Sequence, residues 1–160
     1  MADINIENFY RHIGKSLSIL YAAFPTKSPI YVDDVAGIDE PDEYGLHSPD
    51  YTSGFFALIW LGDEGYLRYA DTIRQDGIDQ AALTHKAFLR LTQPSDLIYQ
   101  APVIQAEESE IEFISPPVDE GLSPSLIEDH KLVINQLRSA LRSGDSIAIT
   151  KVVQHILHSK

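Results

Sequence analysis

Hydrophobic positions near the start of the chain recur every three or four places. Ile6, Phe9, Ile13, Leu17, Leu20 and Phe24 are separated by Arg11, His12, Lys15 and Ser18, the pattern of an amphipathic helix with one apolar stripe. Asp3 or Asn5 can accept hydrogen bonds from the free amides of its first turn, and Pro25 and Pro29 stop it. A short extended piece, Ile30-Tyr31-Val32, follows. From Asp33 to His47 the chain is acidic and carries Gly37, Pro41 and Gly45, which predicts a turn-rich connection with at most a short helix.

Ser48-Pro49-Asp50 is a strong helix start. Serine caps, proline is pre-set for the first helical position, and aspartate suits the positive end of the helix dipole. The helix is expected to run to about Glu64 and to bury Tyr51, Phe55, Leu58, Ile59 and Leu61, with Gly65 in the left-handed terminating conformation. Tyr66 to Ala70 and Ile78 to Leu83 read as two short strands. Their connection, Asp71 to Gly77, ends in Asp76-Gly77, a turn dipeptide that tolerates positive φ. Thr84 can cap a last short helix with Ala87, Phe88 and Leu91 inward.

Residues 93–122 contain Pro94, Pro102, Pro116 and Pro117 and the acidic run Glu107-Glu108-Ser109-Glu110. Although Ile111 to Ile114 could add a strand, the block reads as an extended linker lying over the domain surface. Ser123-Pro124 then repeats the cap-and-proline start. Ile127, His130, Ile134, Leu137 and Leu141 form a narrow seam at steps of three and four. Gly144 stops that helix and Asp145 caps the next, whose face is Ile149, Val152, Val153, Ile156 and Leu157. The loop between them is so short that an antiparallel helical hairpin is expected.

The order of elements is helix, short strand, turn or short helix, long helix, β-hairpin, short helix. Trp60-Leu61-Gly62-Asp63-Glu64-Gly65-Tyr66-Leu67 and Leu83-Thr84-His85-Lys86-Ala87-Phe88-Leu89-Arg90-Leu91 are the stretches over which the chain resembles the winged helix-turn-helix family. In such domains the first stretch ends the recognition helix and enters the wing; the second leaves the wing and opens the next helix. The likeness covers about residues 4–92. It implies an α+β fold: a winged-helix-like domain over 1–92, an acidic proline-containing linker over 93–122, and a C-terminal helical hairpin over 123–160.

Composition alters this picture mainly through charge. The chain has 160 residues, no cysteine, and 12 Lys and Arg against 24 Asp and Glu. Without cysteine, disulfide scaffolds, cysteine–metal sites and thiol nucleophiles are excluded. No apolar run approaches the roughly 18 residues that span a bilayer, and the N-terminus lacks the basic start and apolar stretch of a secretory signal. A cytoplasmic protein without membrane partners is expected. Residues 1–92 hold 7 basic and 14 acidic residues, 93–122 hold 7 acidic and none basic, and 123–160 hold 5 basic and 3 acidic.

That distribution bears directly on nucleic acid. A recognition helix reads base edges with Arg, Lys, Asn or Gln, yet none of these occurs from Tyr44 to Leu67. DNA binding would have to rest on Thr52 and Ser53 of the helix and on Arg68 and Arg74 of the wing. Those two arginines are expected to serve solubility or local pairing with acidic neighbours such as Asp71 and Asp76, not recognition. Phe56 and Trp60, four apart on the long helix, are the candidates for an apolar partner-binding anchor, weighed against ordinary packing in the core.

No pattern supports catalysis, a cofactor or a metal. Gly14-Lys15-Ser16 mimics the end of a phosphate loop but lies inside a helical pattern, without the preceding glycine. Asp33-Asp34 and Asp63-Glu64 are acidic pairs better explained as solvated turns. His155 and His158 share a helix face without a third ligand beside them, and His130 reads as a histidine at the margin of its seam. The leading expectation is a non-catalytic regulatory or adaptor protein that uses protein–protein contacts. The alternative is a DNA-binding transcriptional regulator.

Assembly is the last expectation. The final 38 residues carry 13 large aliphatic side chains, and an isolated hairpin leaves many of them wet at about 1.5–3 kcal/mol each. A homodimer through Ile127, His130, Ile134, Leu137, Leu141, Ile149, Val153 and Ile156 would cover them.

Overall fold

A computed structural model describes residues 3–95 and 131–158. The elements run α1 (Ile4–Ala23), β1 (Ser28–Tyr31), α2 (Val32–Ala36), α3 (Pro49–Asp63), β2 (Leu67–Arg68), β3 (Asp71–Ile73), β4 (Gly77–Leu83), α4 (His85–Thr92), α5 (Val133–Ser143) and α6 (Ser146–His158). The fold is mixed, with helices around a small antiparallel sheet. Several boundaries follow from local chemistry. The Ser48 hydroxyl accepts the Tyr51 amide at 3.2 Å, and Thr84 accepts the Ala87 amide at 3.3 Å, each satisfying one orphan donor of a first helical turn. Gly65 and Gly144 take the positive φ that ends α3 and α5. The Asp145 carboxylate accepts the Ile147 amide at the start of α6.

β4 is the centre of the sheet. It pairs antiparallel with β1 on one edge and with β2 and β3 on the other. Leu67 faces Leu83 and Ile73 faces Gly77 in one uninterrupted register. β2 and β3 thus lie along the same edge of β4 in the same register, separated by Tyr69 and Ala70; Gln80, across from Ala70, has a φ of 53°. The Asp71 to Gly77 connection expected from sequence is thus strand for its first three residues. The positive φ of the turn falls on Arg74, not on Gly77. Gly77 is needed for space instead: a Cβ there would run into the Ile30 carbonyl oxygen on β1.

α1 lies inside the molecule, covered from two sides. Residues two apart on a helix point nearly opposite ways, since each step turns the helix by about 100°. His12 faces α3, where its ring approaches Asp50 and Gly54. Gly14 faces α5 and α6: a Cβ on it would stand 3.2 Å from Leu137 Cδ1 and 3.3 Å from Val153 Cγ2. Glycine lets the three backbones approach. α4 closes the arrangement through Arg90, which donates to the Tyr66 hydroxyl at 2.6 Å and to the Ile156 carbonyl near the C-terminal end of α6 at 3.2 Å, a favourable place for a cation.

This packing corrects the assembly expectation. Ile134, Leu137, Ile149, Val153 and Ile156 are buried within the single chain, in one core with Ile13, Leu17 and Leu58; Leu141 is half-buried, near Gly14. These side chains are already covered, so they offer no face to a second copy. Ile127 and His130 lie outside the described residues. The division into separate units over 1–92 and 123–160 gives way to one shared core, because α1 has a second face for the C-terminal helices to cover.

The seam from Ile127 to Leu141 is not one continuous helix either. Leu132 is extended (φ −63°, ψ 136°) and bridges Pro94. The Ser95 amide donates to the Lys131 carbonyl and the Val133 amide to the Gln93 carbonyl, both at 2.9 Å. Gln136 adds side-chain bonds to the Ser95 and Lys131 carbonyls. Residues 96–130, most of the expected linker among them, lie outside the described residues. No helix among the described residues is long and apolar enough to cross a membrane.

Candidate functional site

The loop between α2 and α3, residues 37–48, is braced by its own aspartates. Asp42 accepts the amides of Tyr44 and Leu46, both at 2.9 Å, and its own amide donates to the Leu46 carbonyl. Asp39 accepts the Ser48 amide and faces His47 Nδ1, each at 3.0 Å. The Ser48 amide and His47 hold the Asp39 carboxyl below the usual carboxylate range. A short carboxylate that satisfies loop amides is the common way an irregular segment is fixed.

The far side of the His47 ring is fixed by the β3–β4 turn. The imidazole stacks on Tyr51, with centroids 3.9 Å apart, and its Nε2 lies 3.8 Å from Asp76. Tyr51 donates its hydroxyl to the same Asp76 oxygen at 3.2 Å. Burial and the nearby Asp76 carboxylate push the Tyr51 hydroxyl up to about 12, so it stays a donor across the physiological range. Both ring nitrogens of His47 are turned towards carboxylates, and the ring serves as a brace between loop, helix and hairpin.

Beside this brace is a cavity of about 220 Å³ lined by Gly45, Leu46, His47, Tyr51, Thr52, Phe55 and Gln75. Its mouth borders the outer face of α3, where Thr52, Phe56 and Asp63 are exposed and Ser53 and Ile59 half-buried. Of the expected apolar anchors, Phe56 remains exposed. Trp60 is half-buried, edge-on to Phe9 at 5.1 Å and stacked near Tyr66. Arg68 and Arg74 are exposed. Of the two roles expected for them, pairing with Asp71 or Asp76 is not made among the described residues, whose ion pairs all involve histidine.

Sequence reasoning missed the His47–Tyr51–Asp76 brace and the exposed loop side chains Tyr44 and Leu46. The signal present was Asp42 two residues before Tyr44, a spacing that favours a side-chain-closed turn. Among the described residues no group of three or more histidine, aspartate or glutamate side chains could hold a metal ion.

His12 marks the inner end of α3. It is 1% exposed; its Nε2 lies 3.2 Å from Asp50, without the alignment of a hydrogen bond, and its Nδ1 has no partner. Burial lowers its pKa, with Asp50 opposing and Arg11 and Lys15 adding to the fall. A histidine lowered in the folded state takes its proton first in the unfolded chain. Stability is therefore unaffected above the ordinary value of 6.5 and declines as pH falls from there towards the lower folded value. Urea midpoints measured from pH 7.5 down to pH 5 should drop through this window, and His12→Met should flatten the drop. An unchanged slope in the variant would show that other groups carry it.

No family model, curated protein or solved structure matches this chain.

Proposed function

We propose that this chain is a non-catalytic regulatory or adaptor protein that uses a winged-helix scaffold for protein–protein contacts. The scaffold is supported by the order α1, β1, α2, α3, β2, β3, β4, with β4 between β1 and the hairpin strand. The contact role rests on one observation. The outer face of α3 presents Thr52, Phe56, Ile59 and Asp63 within a stretch, residues 28–67, that holds nine acidic residues and no lysine or arginine. Such a face has an apolar anchor for a protein and repels phosphate.

A second reading, DNA-binding transcriptional regulation through Thr52, Ser53, Arg68 and Arg74, is favoured by the exposure of both arginines. The two are separated by titration with random duplex DNA at low salt, followed by anisotropy. No binding is expected up to tens of micromolar protein. Micromolar binding that weakens steeply with added salt and disappears in Arg68→Ala/Arg74→Ala would replace the contact reading with the DNA one.

A further inference from the structure

Among the described residues, exposed large apolar side chains occur on α1, β1, α4 and α6, and several belong to the α2–α3 loop and the helix that follows it. Ile38 is 88% exposed, Tyr44 79%, Leu46 64% and Phe56 54%. The first three belong to the α2–α3 loop and the fourth to the adjoining helix face. Leu46 and Phe55 both line the cavity, and Phe55 meets Phe56 edge-on at 5.4 Å, which links Leu46, the cavity and Phe56 through a chain of contacts. The loop does not present these groups by default. Asp42 and Asp39 fix its backbone, and holding large apolar groups in water on an ordered loop forfeits burial that collapse would gain.

The cavity is smaller than the pockets that enclose drug-sized ligands, which run from roughly 300 Å³ upwards. Its size fits a single large side chain entering as an anchor. Charge then selects the owner of that side chain. Asp39, Glu40, Asp42 and Glu43 belong to the same loop as Leu46, and no lysine or arginine occurs from residue 28 to 67. The chain's own segment 93–122 has seven acidic residues and none basic, so it is repelled. A second copy would set the same acidic loop against itself across a two-fold axis. Opposite potentials attract and orient partners, and what complements this loop is a cationic surface with an apolar centre.

We infer that Leu46, the cavity and Phe56 dock a basic, amphipathic segment of a protein partner, one large apolar side chain entering the cavity and flanking Lys or Arg meeting the acidic loop. This deepens the contact reading above and rests on it.

A display library of random peptides tests it, panned against the full chain and depleted against the Leu46→Ser/Phe56→Ser variant. Enriched peptides should place Leu, Ile, Phe or Trp among several Lys or Arg. Their affinity should fall about tenfold in Leu46→Ser, in Phe56→Ser and in Glu40→Lys/Glu43→Lys. A lysine peptide of equal charge without apolar residues should bind at least about tenfold more weakly, which separates docking from general attraction. All substituted positions are exposed, so melting temperatures should stay near the parent's, and the charge-reversal variant keeps the test intact if an apolar variant is misfolded. Neutral or acidic peptides that still require Leu46 and Phe56 would overturn the basic chemistry and leave the contact reading standing. No enrichment, or binding indifferent to all these substitutions, would overturn the docking site and the contact reading at this face together.

Discussion

A chain ended at residue 121, lacking α5 and α6, should fail to unfold cooperatively. The reason lies on α1. Its Gly14 side is covered by Leu137, Val153 and Leu141, and Arg90 and Tyr66 direct their polar atoms to the Ile156 and Leu157 carbonyls of α6. Five aliphatic side chains of the missing helices are fully buried in the shared core. At about 1.5–3 kcal/mol each, their loss rivals the whole stability of a domain this size, roughly 5–15 kcal/mol. Circular dichroism on heating should show a shallow drift in place of a transition, and a hydrophobic dye should bind strongly. The single substitution Leu137→Ala should destabilise the full chain by about 2–5 kcal/mol. A truncated chain that melts sharply at the parent temperature would show that residues 3–95 need no cover from the C-terminal helices.

The physical origin of that dependence explains what the sequence could and could not reveal. The start of α3 was legible because Ser48, Pro49 and Asp50 act on their own helix, within one turn. The same holds for Thr84 before α4, for Gly65 and for Asp145. These are short-range effects, and local composition encodes them. The partner of an apolar stripe is not local. Ile134, Leu137, Val153 and Ile156 announce a buried face, but the same periodicity suits a second copy or α1. Gly14 held the missing clue: a small residue on the side of α1 opposite His12, where a stripe-only helix would meet water.

Where tertiary pairing competed with periodicity, pairing prevailed. Leu132 sits within a good helical pattern, yet its exchange with Pro94 and the Val133–Gln93 bond make it extended. β3 was hidden because Asp71 and Thr72 are polar; β4 supplies the ladder that makes it a strand. At the candidate site the acidic loop was readable from composition. The turn that Asp42 closes around Tyr44 and Leu46 was hinted at by its spacing; the His47 brace was not, because it depends on Asp39 and Asp76 reaching His47 and Tyr51 from opposite sides.

Gly77→Ala should be among the most damaging single-atom changes in the chain, at about 3 kcal/mol or more. The added methyl meets the Ile30 carbonyl and the Tyr31 Cα of β1, and main chain held in a ladder has no rotamer by which to retreat. Gly65→Ala is the informative comparison. Nothing lies within 4 Å of a Cβ there, and the only strain is a φ of +80°, worth roughly 1–2 kcal/mol. The two glycines thus test space against conformation. The effect at Gly77 should also reach the candidate site. Asp76, its neighbour, accepts the Val32 amide through its backbone at 2.7 Å and the Tyr51 hydroxyl through its carboxylate. If β1 and β4 are forced apart, this connection between the hairpin, α2 and α3 loosens, and His47 loses the second of its two carboxylate neighbours. Urea denaturation gives the stability change, and the His47 ring resonances report the site. A Gly77→Ala loss below that of Gly65→Ala would mean that β1 and β4 are not held in close contact in solution, and that the brace of the α2–α3 loop does not depend on their register.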